Sequence, residues 1–227
     1  MTIHISRRAL IATAAAAPFL ALPGCAGTGF SLVDAIRELL SLSSQRAFAQ
    51  LLRQNGFFDD QLARIDLPEA LGGGNSTRII ATILRSDAFR SRLARQVNRA
   101  AEKGAEIAAP MVAETVRTIG IENAVDLVKG GPESATLFLK DKMGPALLTA
   151  MVPGIDNGLR LFDSQIVTEG LRLATGIDFA ALRDDVTRKA SDGIYRAMGR
   201  EEAAIRANPG ETNNPLLIGV FGLAKRV

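Results

Sequence analysis

The run TRIIATILRSDAFRSRLARQVNRAAEK, residues 77–103, decides the fold class. Its apolar members Ile79, Ile80, Ile83, Leu84, Phe89, Leu93 and Val97 recur at three- and four-residue steps. That period gathers them on one face of a helix, whereas a half-buried strand would alternate every second residue. The spacing predicts a long helix from Thr77 to about Lys103, interrupted or ended by Gly104.

Outward from this run the reading stays helical. On the C-terminal side, Ala105–Ile119 predicts a second helix bent near Pro110, and Glu122–Lys129 a short one closed by Gly130-Gly131. Pro132 suits a first helical position and opens a segment to about Met151. Pro153-Gly154 marks a turn, Ile155–Thr175 is helical and stops at Gly176, and Asp178 caps the last long helix. That helix reaches Ala207 before Asn208-Pro209-Gly210, and Pro215–Ala224 forms a final short helix. On the N-terminal side, Gly72-Gly73-Gly74-Asn75 is a break. No Gly-Lys-Ser/Thr follows it, so it reads as a hinge rather than a phosphate loop. Phe57–Leu71 is a docking loop with a short helical turn, holding Ile65, Leu67 and Pro68. Ser31, with Asp34 three residues on, caps a first helix that carries Leu32, Ile36, Leu39, Leu40, Phe48, Leu51 and Leu52 and ends at Asn55-Gly56. No strand pattern and no repeat period emerges. The expectation is an all-α, compact multi-helix bundle forming a single domain over residues 31–227, with a division into two helical lobes near the glycine break left open.

Composition sets what such a bundle can do. The chain has 227 residues, 47% apolar and 22% charged, with one Cys and one His. One Cys excludes a disulfide scaffold. The first 24 residues read as a signal peptide. Ser6-Arg7-Arg8-Ala9-Leu10 resembles a twin-arginine signal, and the apolar stretch Ala9–Leu22 is too short for the roughly 20 residues of a bilayer span. Leu22-Pro23-Gly24-Cys25 looks like a lipoprotein box, with Pro23 an unusual residue at its place. The expected mature chain starts at an acylated Cys25, with residues 25–30 as its tether. Residues 26–30 reach about 18 Å at most. The implied address is the bacterial periplasm at the cell envelope, membrane-anchored through Cys25. Ala26 after the cysteine favours the outer membrane over the inner one.

Removing residues 1–24 takes away Arg7, Arg8 and no acid, so the formal charge falls from +3 to +1. The basic balance of the precursor is therefore no sign of nucleic-acid binding. The same cut removes His4, the lone histidine. Ser-His-Asp and Cys-His machinery is then excluded, as are His/Cys zinc sites and haem or iron–sulfur ligation. No metal, no cofactor and no catalytic residue is expected, and the chain reads as a non-enzyme.

Several short motifs look alike in order with one known family. They are Gly56-Phe57, Ile65-Asp66-Leu67-Pro68, Asn98-Arg99-Ala100-Ala101-Glu102, and Gly130-Gly131 followed by Ser134-Ala135-Thr136. Further on come Lys189-Ala190-Ser191-Asp192-Gly193-Ile194-Tyr195, Glu201-Glu202, Ile205-Arg206 with Asn208-Pro209, and Leu216-Leu217 with Val220-Phe221-Gly222. Nearly the whole mature chain thus resembles the bacterial family catalogued as domain of unknown function number 4197. Phe138 and Ser191 depart from it, standing where Tyr and Leu are expected. The resemblance implies an exported, often lipoprotein-like protein and no particular activity.

Two residue groups stand out as candidate sites. Arg78, Arg85, Arg92 and Arg99 are seven apart, with Arg95 beside them, and Asp87 is the one acid among them. On one helix they would form a basic face for anionic headgroups or phosphates, or else a solvated or acid-paired face. Asp192-Gly193 sits where neither residue favours a helix, with Arg188 and Arg196 four residues either side and Glu201, Glu202 and Arg206 beyond. This reads as a charge network fixing helix packing, with Gly193 permitting a close approach, against a carboxylate site for acid–base chemistry. Asp59-Asp60 and Asp184-Asp185 read as solvated acids, and Tyr195 as a packed ring with a wet tip. The function expected is a protein-interaction or structural module with an envelope partner. The alternatives are a helical carrier of a lipid or other apolar ligand, and a carboxylate enzyme.

Overall fold

The computed structural model describes residues 31–67, 86–160 and 179–224. Among these residues it contains no strand. Its helices are α1 (Leu32–Leu51), α2 (Gly56–Asp59), α3 (Asp87–Thr118), α4 (Ala124–Lys129), α5 (Ser134–Leu159), α6 (Phe179–Ala207) and α7 (Pro215–Ala224). A 3₁₀ turn, Pro209–Thr212, joins the last two. The glycine break, Thr77–Arg85 and the Asp178 cap lie outside the described residues.

Ser31 caps α1 as its spacing predicts, its hydroxyl accepting from the Asp34 amide at 3.3 Å. Ile36, Leu39, Leu40 and Leu51 on one face are fully buried, each contributing about 1.5–3 kcal/mol by leaving water. Asn55 ends the following turn at φ 63°, a left-handed conformation that Asn tolerates.

The expected boundaries between helices fail in three places, each for a physical reason. Ser86 is extended (φ −66°, ψ 137°) and its hydroxyl accepts from the Phe89 amide, so a capped helix begins at Asp87 and the helix predicted from Thr77 is broken there. Gly104 ends nothing. It lies inside the 32-residue α3, where a Cβ would meet Ile155 of α5 at 2.8 Å. Pro153-Gly154 makes no turn either, because α5 runs through Pro145 and Pro153 to Leu159. Pro110, Pro145 and Pro153 all sit on exposed faces, where water can hydrate the carbonyls that lose a helical donor.

Glycine instead sets the packing distance between α3 and α5. Gly154 lies against the Lys103 backbone and Gly158 against Ala100, with no space for a side chain at either. Ala100, Ala101, Ala105 and Ala108 of α3 are fully buried. α5 is antiparallel to α3, and α6 to α5, as the pairs Ala100/Gly158 and Gly104/Ile155, then Thr136/Glu202 and Asp156/Arg183, require. One hydrophobic core runs through the described helices from Ile36 to Phe221.

Candidate functional site

The break at Ser86 divides the arginine series. Arg78 and Arg85 lie outside the described residues, on the far side of the break from Arg92, Arg95 and Arg99. These three share one exposed face near the start of α3. They border a hollow of about 530 Å³, based on Phe89 and Leu93 and reaching Gln96 and Asn55. Among the described residues, no carboxylate lies within ion-pair reach of Arg92 or Arg95. Arg99 faces Glu102, one turn on. Burial pushes the Glu102 carboxyl up, against the opposing pull of the Phe57 amide, Arg99 and the Gly56 amide.

The charges read around Asp192 do not form one network. Arg188 pairs with Asp185 at 3.3 Å. The Arg196 Nε donates to the Leu62 carbonyl at 2.7 Å. Glu201 lies 3.7 Å from Arg200. Glu202 is completely enclosed and accepts from the amides of Ala135 (3.0 Å) and Thr136 (2.7 Å). It therefore caps α5, whose own N-cap residue, Glu133, makes no side-chain cap. Arg206 binds Glu202 at 2.8 Å, donates to the Leu127 and Val128 carbonyls that end α4, and lies over the Phe221 ring of α7 at 4.7 Å.

Asp192 itself pairs across the bundle with Lys140 of α5, Nζ to Oδ1 at 2.9 Å. Both side chains are about half exposed, and such a pair contributes about 0–1 kcal/mol, so it opens readily. Beneath it lies Tyr195, 4% exposed, with the Lys140 Nζ 5.8 Å from its ring centroid. Two hollows share the walls formed by Lys140, Asp192 and Tyr195. One, of about 660 Å³, is bordered by Gly144, Pro145, Leu148 and Arg188, and the other, of about 210 Å³, by Glu133, Thr136 and Arg196. Leu137, 59% exposed, stands at both. The hydroxyls of Tyr195 and Thr136 are enclosed and find no hydrogen-bond partner among the described residues. Leaving such a group unpaired costs about 1–3 kcal/mol. Burial also pushes the Tyr195 phenol well above its ordinary range, so it stays protonated and able to donate.

Gly193 has the close approach expected of it, with Ala63 packed where a side chain would start. The residues that hold this loop escaped the sequence reading. Asn98 of α3, wholly buried, accepts from the Ile65 amide at 2.8 Å and donates to the Ile65 carbonyl at 3.0 Å. Asp60, expected to be solvated, is buried. It accepts from the Leu62 and Ala63 amides and pairs with Arg200 at 2.8 Å. Burial alone would raise its carboxyl, but Arg200 and the two amides outweigh that and hold it below its usual range.

Among the described residues no group of three or more His, Cys, Asp or Glu converges to hold a metal ion, and no helix is long and apolar enough to cross a membrane. A family profile described as "Protein of unknown function (DUF4197)" matches residues 28–222. No curated protein and no solved structure matches the chain.

Proposed function

This chain belongs to the DUF4197 family of proteins of unknown function, and from that premise we propose that it is an exported, lipid-anchored binding module of the bacterial envelope with no catalytic step of its own. Its anchor is an acylated Cys25 in the periplasm, and Ala26 favours the outer membrane. The family match starts at residue 28, three residues past that cysteine, in keeping with a signal segment ahead of the domain.

One observation carries the binding role, the groove between α5 and α6. An exposed leucine and a weak, half-exposed ion pair lie over a tyrosine whose enclosed hydroxyl has no partner among the described residues. The partner is a protein segment that sets an apolar side chain against Leu137 and Leu148 and exchanges polar contacts with Lys140 and Asp192. Charged side chains rim both hollows, which suits a docked segment better than an enclosed apolar ligand. Of the carboxylates nearby, Glu202 is held by Arg206 and two amides, Asp192 pairs with Lys140, and Asp141 and Glu133 are exposed to water, which favours binding over acid–base chemistry.

Two experiments test the parts separately. A photoreactive residue at Leu137 in living cells is expected to trap one discrete protein that the same residue at Val125, on α4, does not. Equal trapping at both positions, or none at either, counts against the groove. Cys25→Ser is expected to move the protein from the membrane pellet to the soluble fraction. If it stays in the pellet after a high-salt wash, the anchor is wrong.

A further inference from the structure

The arginines near the start of α3 lie outside the groove and have a different chemistry. Arg92, Arg95 and Arg99 stand at i, i+3 and i+7 around a hollow of about 530 Å³. Like charges at these spacings repel by about 0.2–0.5 kcal/mol per pair, and no acid relieves Arg92 or Arg95 among the described residues. A guanidinium is a rigid fork that fits the oxygens of phosphate or carboxylate. Three such forks offer more donors than the two oxygens of one carboxylate accept well, whereas a phosphate or diphosphate has oxygens enough. Asn55 adds a polar group at the rim, Gln96 turns its amide nitrogen to the Gly158 carbonyl at 2.6 Å, and Phe89 and Leu93 give an apolar base.

With the anchor at Cys25 proposed above, position separates this hollow from the anchoring leaflet. α1 starts beside the tether at Ser31, and Asn55, which borders the hollow, follows its other end. Twenty helical residues put about 30 Å between the two ends. The Arg37 contact with the Ile119 carbonyl shows that α3 ends near the start of α1, so its arginine end points away from the tether. We infer that Arg92, Arg95 and Arg99 form a binding site for a phosphate-bearing ligand, held at the end of the bundle remote from the lipid anchor. The phosphate could belong to a soluble compound or to a lipid headgroup, and the geometry favours the soluble source.

The test uses the full chain carrying Cys25→Ser, so that no acyl group contributes to vesicle binding. Inorganic pyrophosphate is titrated by calorimetry, and phosphatidylglycerol vesicles are assayed by cosedimentation. The expected result is one pyrophosphate per chain, weakened at least about tenfold by Arg92→Gln with Arg95→Gln. A control pair, Arg117→Gln with Lys129→Gln, removes the same charge elsewhere and is expected to leave binding intact. Binding to vesicles but not pyrophosphate, lost in the Arg92/Arg95 variant, upholds the phosphate site and assigns it to headgroups. Binding of neither probe, or equal losses in both double variants, overturns the site. The arginines are exposed, so a urea unfolding curve matching the parent shows that any loss is not a folding defect.

Discussion

Glu202 and Arg206 sit one turn apart on α6, joined at 2.8 Å, the glutamate fully enclosed and the arginine side chain 10% exposed. The pair connects four helices. The carboxylate caps the start of α5, and the guanidinium binds the end of α4 and lies on Phe221 of α7. This arrangement stabilises the site where α5 begins, and α5 carries Leu137 and Lys140 to the groove.

Glu202→Ala leaves a buried guanidinium without its counter-charge and two helix amides without an acceptor. Removing one partner of such a pair costs about 3–5 kcal/mol. Urea unfolding of the purified protein is expected to show a loss of that size, with Arg206→Ala similar and the double variant less than additive. Additive losses would mean that the two residues act independently.

Asn98→Leu keeps the branched outline of the side chain, with two bulkier methyl groups at its tip, but strips both hydrogen bonds from Ile65. Each buried backbone group left unpaired costs about 1–3 kcal/mol. Hydrogen exchange is expected to speed up at the Ile65 amide and through residues 60–67, while α5 stays protected. A uniform rise across all helices would instead mark Asn98 as a general core residue with no special hold on the loop.

Local sequence made much of this fold legible. The Ser31 cap, the apolar period of α1 and the short helices at 124–129 and 215–224 all follow from contacts within a few residues. Apart from the local cap at Ser86, the misread boundaries have a different cause. Gly104 and Gly154 are breakers by propensity, but they lie where α3 and α5 need a surface without side chains, and packing overrides propensity. Partners far apart in sequence were invisible for the same reason. In sequence Asp192 stands four residues from Arg188 and Arg196, whereas its partner Lys140 lies 52 residues earlier, and Asp60 meets Arg200 across 140 residues. The groove depends on such distant pairs, so only its α6 half showed in the sequence.

The Asp60–Arg200 pair predicts a pH dependence. Arg200 and two amides hold the Asp60 carboxyl below its ordinary value of 3.8. The unfolded chain therefore takes up the proton first, and the stability contributed by the pair is complete above that value and lost as pH falls below it. Asp60→Asn is expected to be less stable than the parent at pH 7, with the gap in urea midpoints narrowing by pH 3. A gap as wide at pH 3 as at pH 7 would show that the carboxylate charge is not what holds Arg200.

Two glycines of α5 separate packing from propensity. Gly158 lies against Ala100 with no space for a methyl group, whereas a Cβ at Gly144 meets nothing within 4 Å. Gly158→Ala is expected to cost about 1–3 kcal/mol through overpacking between α3 and α5. Gly144→Ala is expected to gain about 0.5–1 kcal/mol, because alanine loses less backbone freedom in a helix interior. Thermal unfolding of the two variants beside the parent should move their midpoints in opposite directions. If both moved downwards, α5 at Gly144 would be more closely covered than its open surroundings allow, and the groove beside it would be narrower than its walls imply.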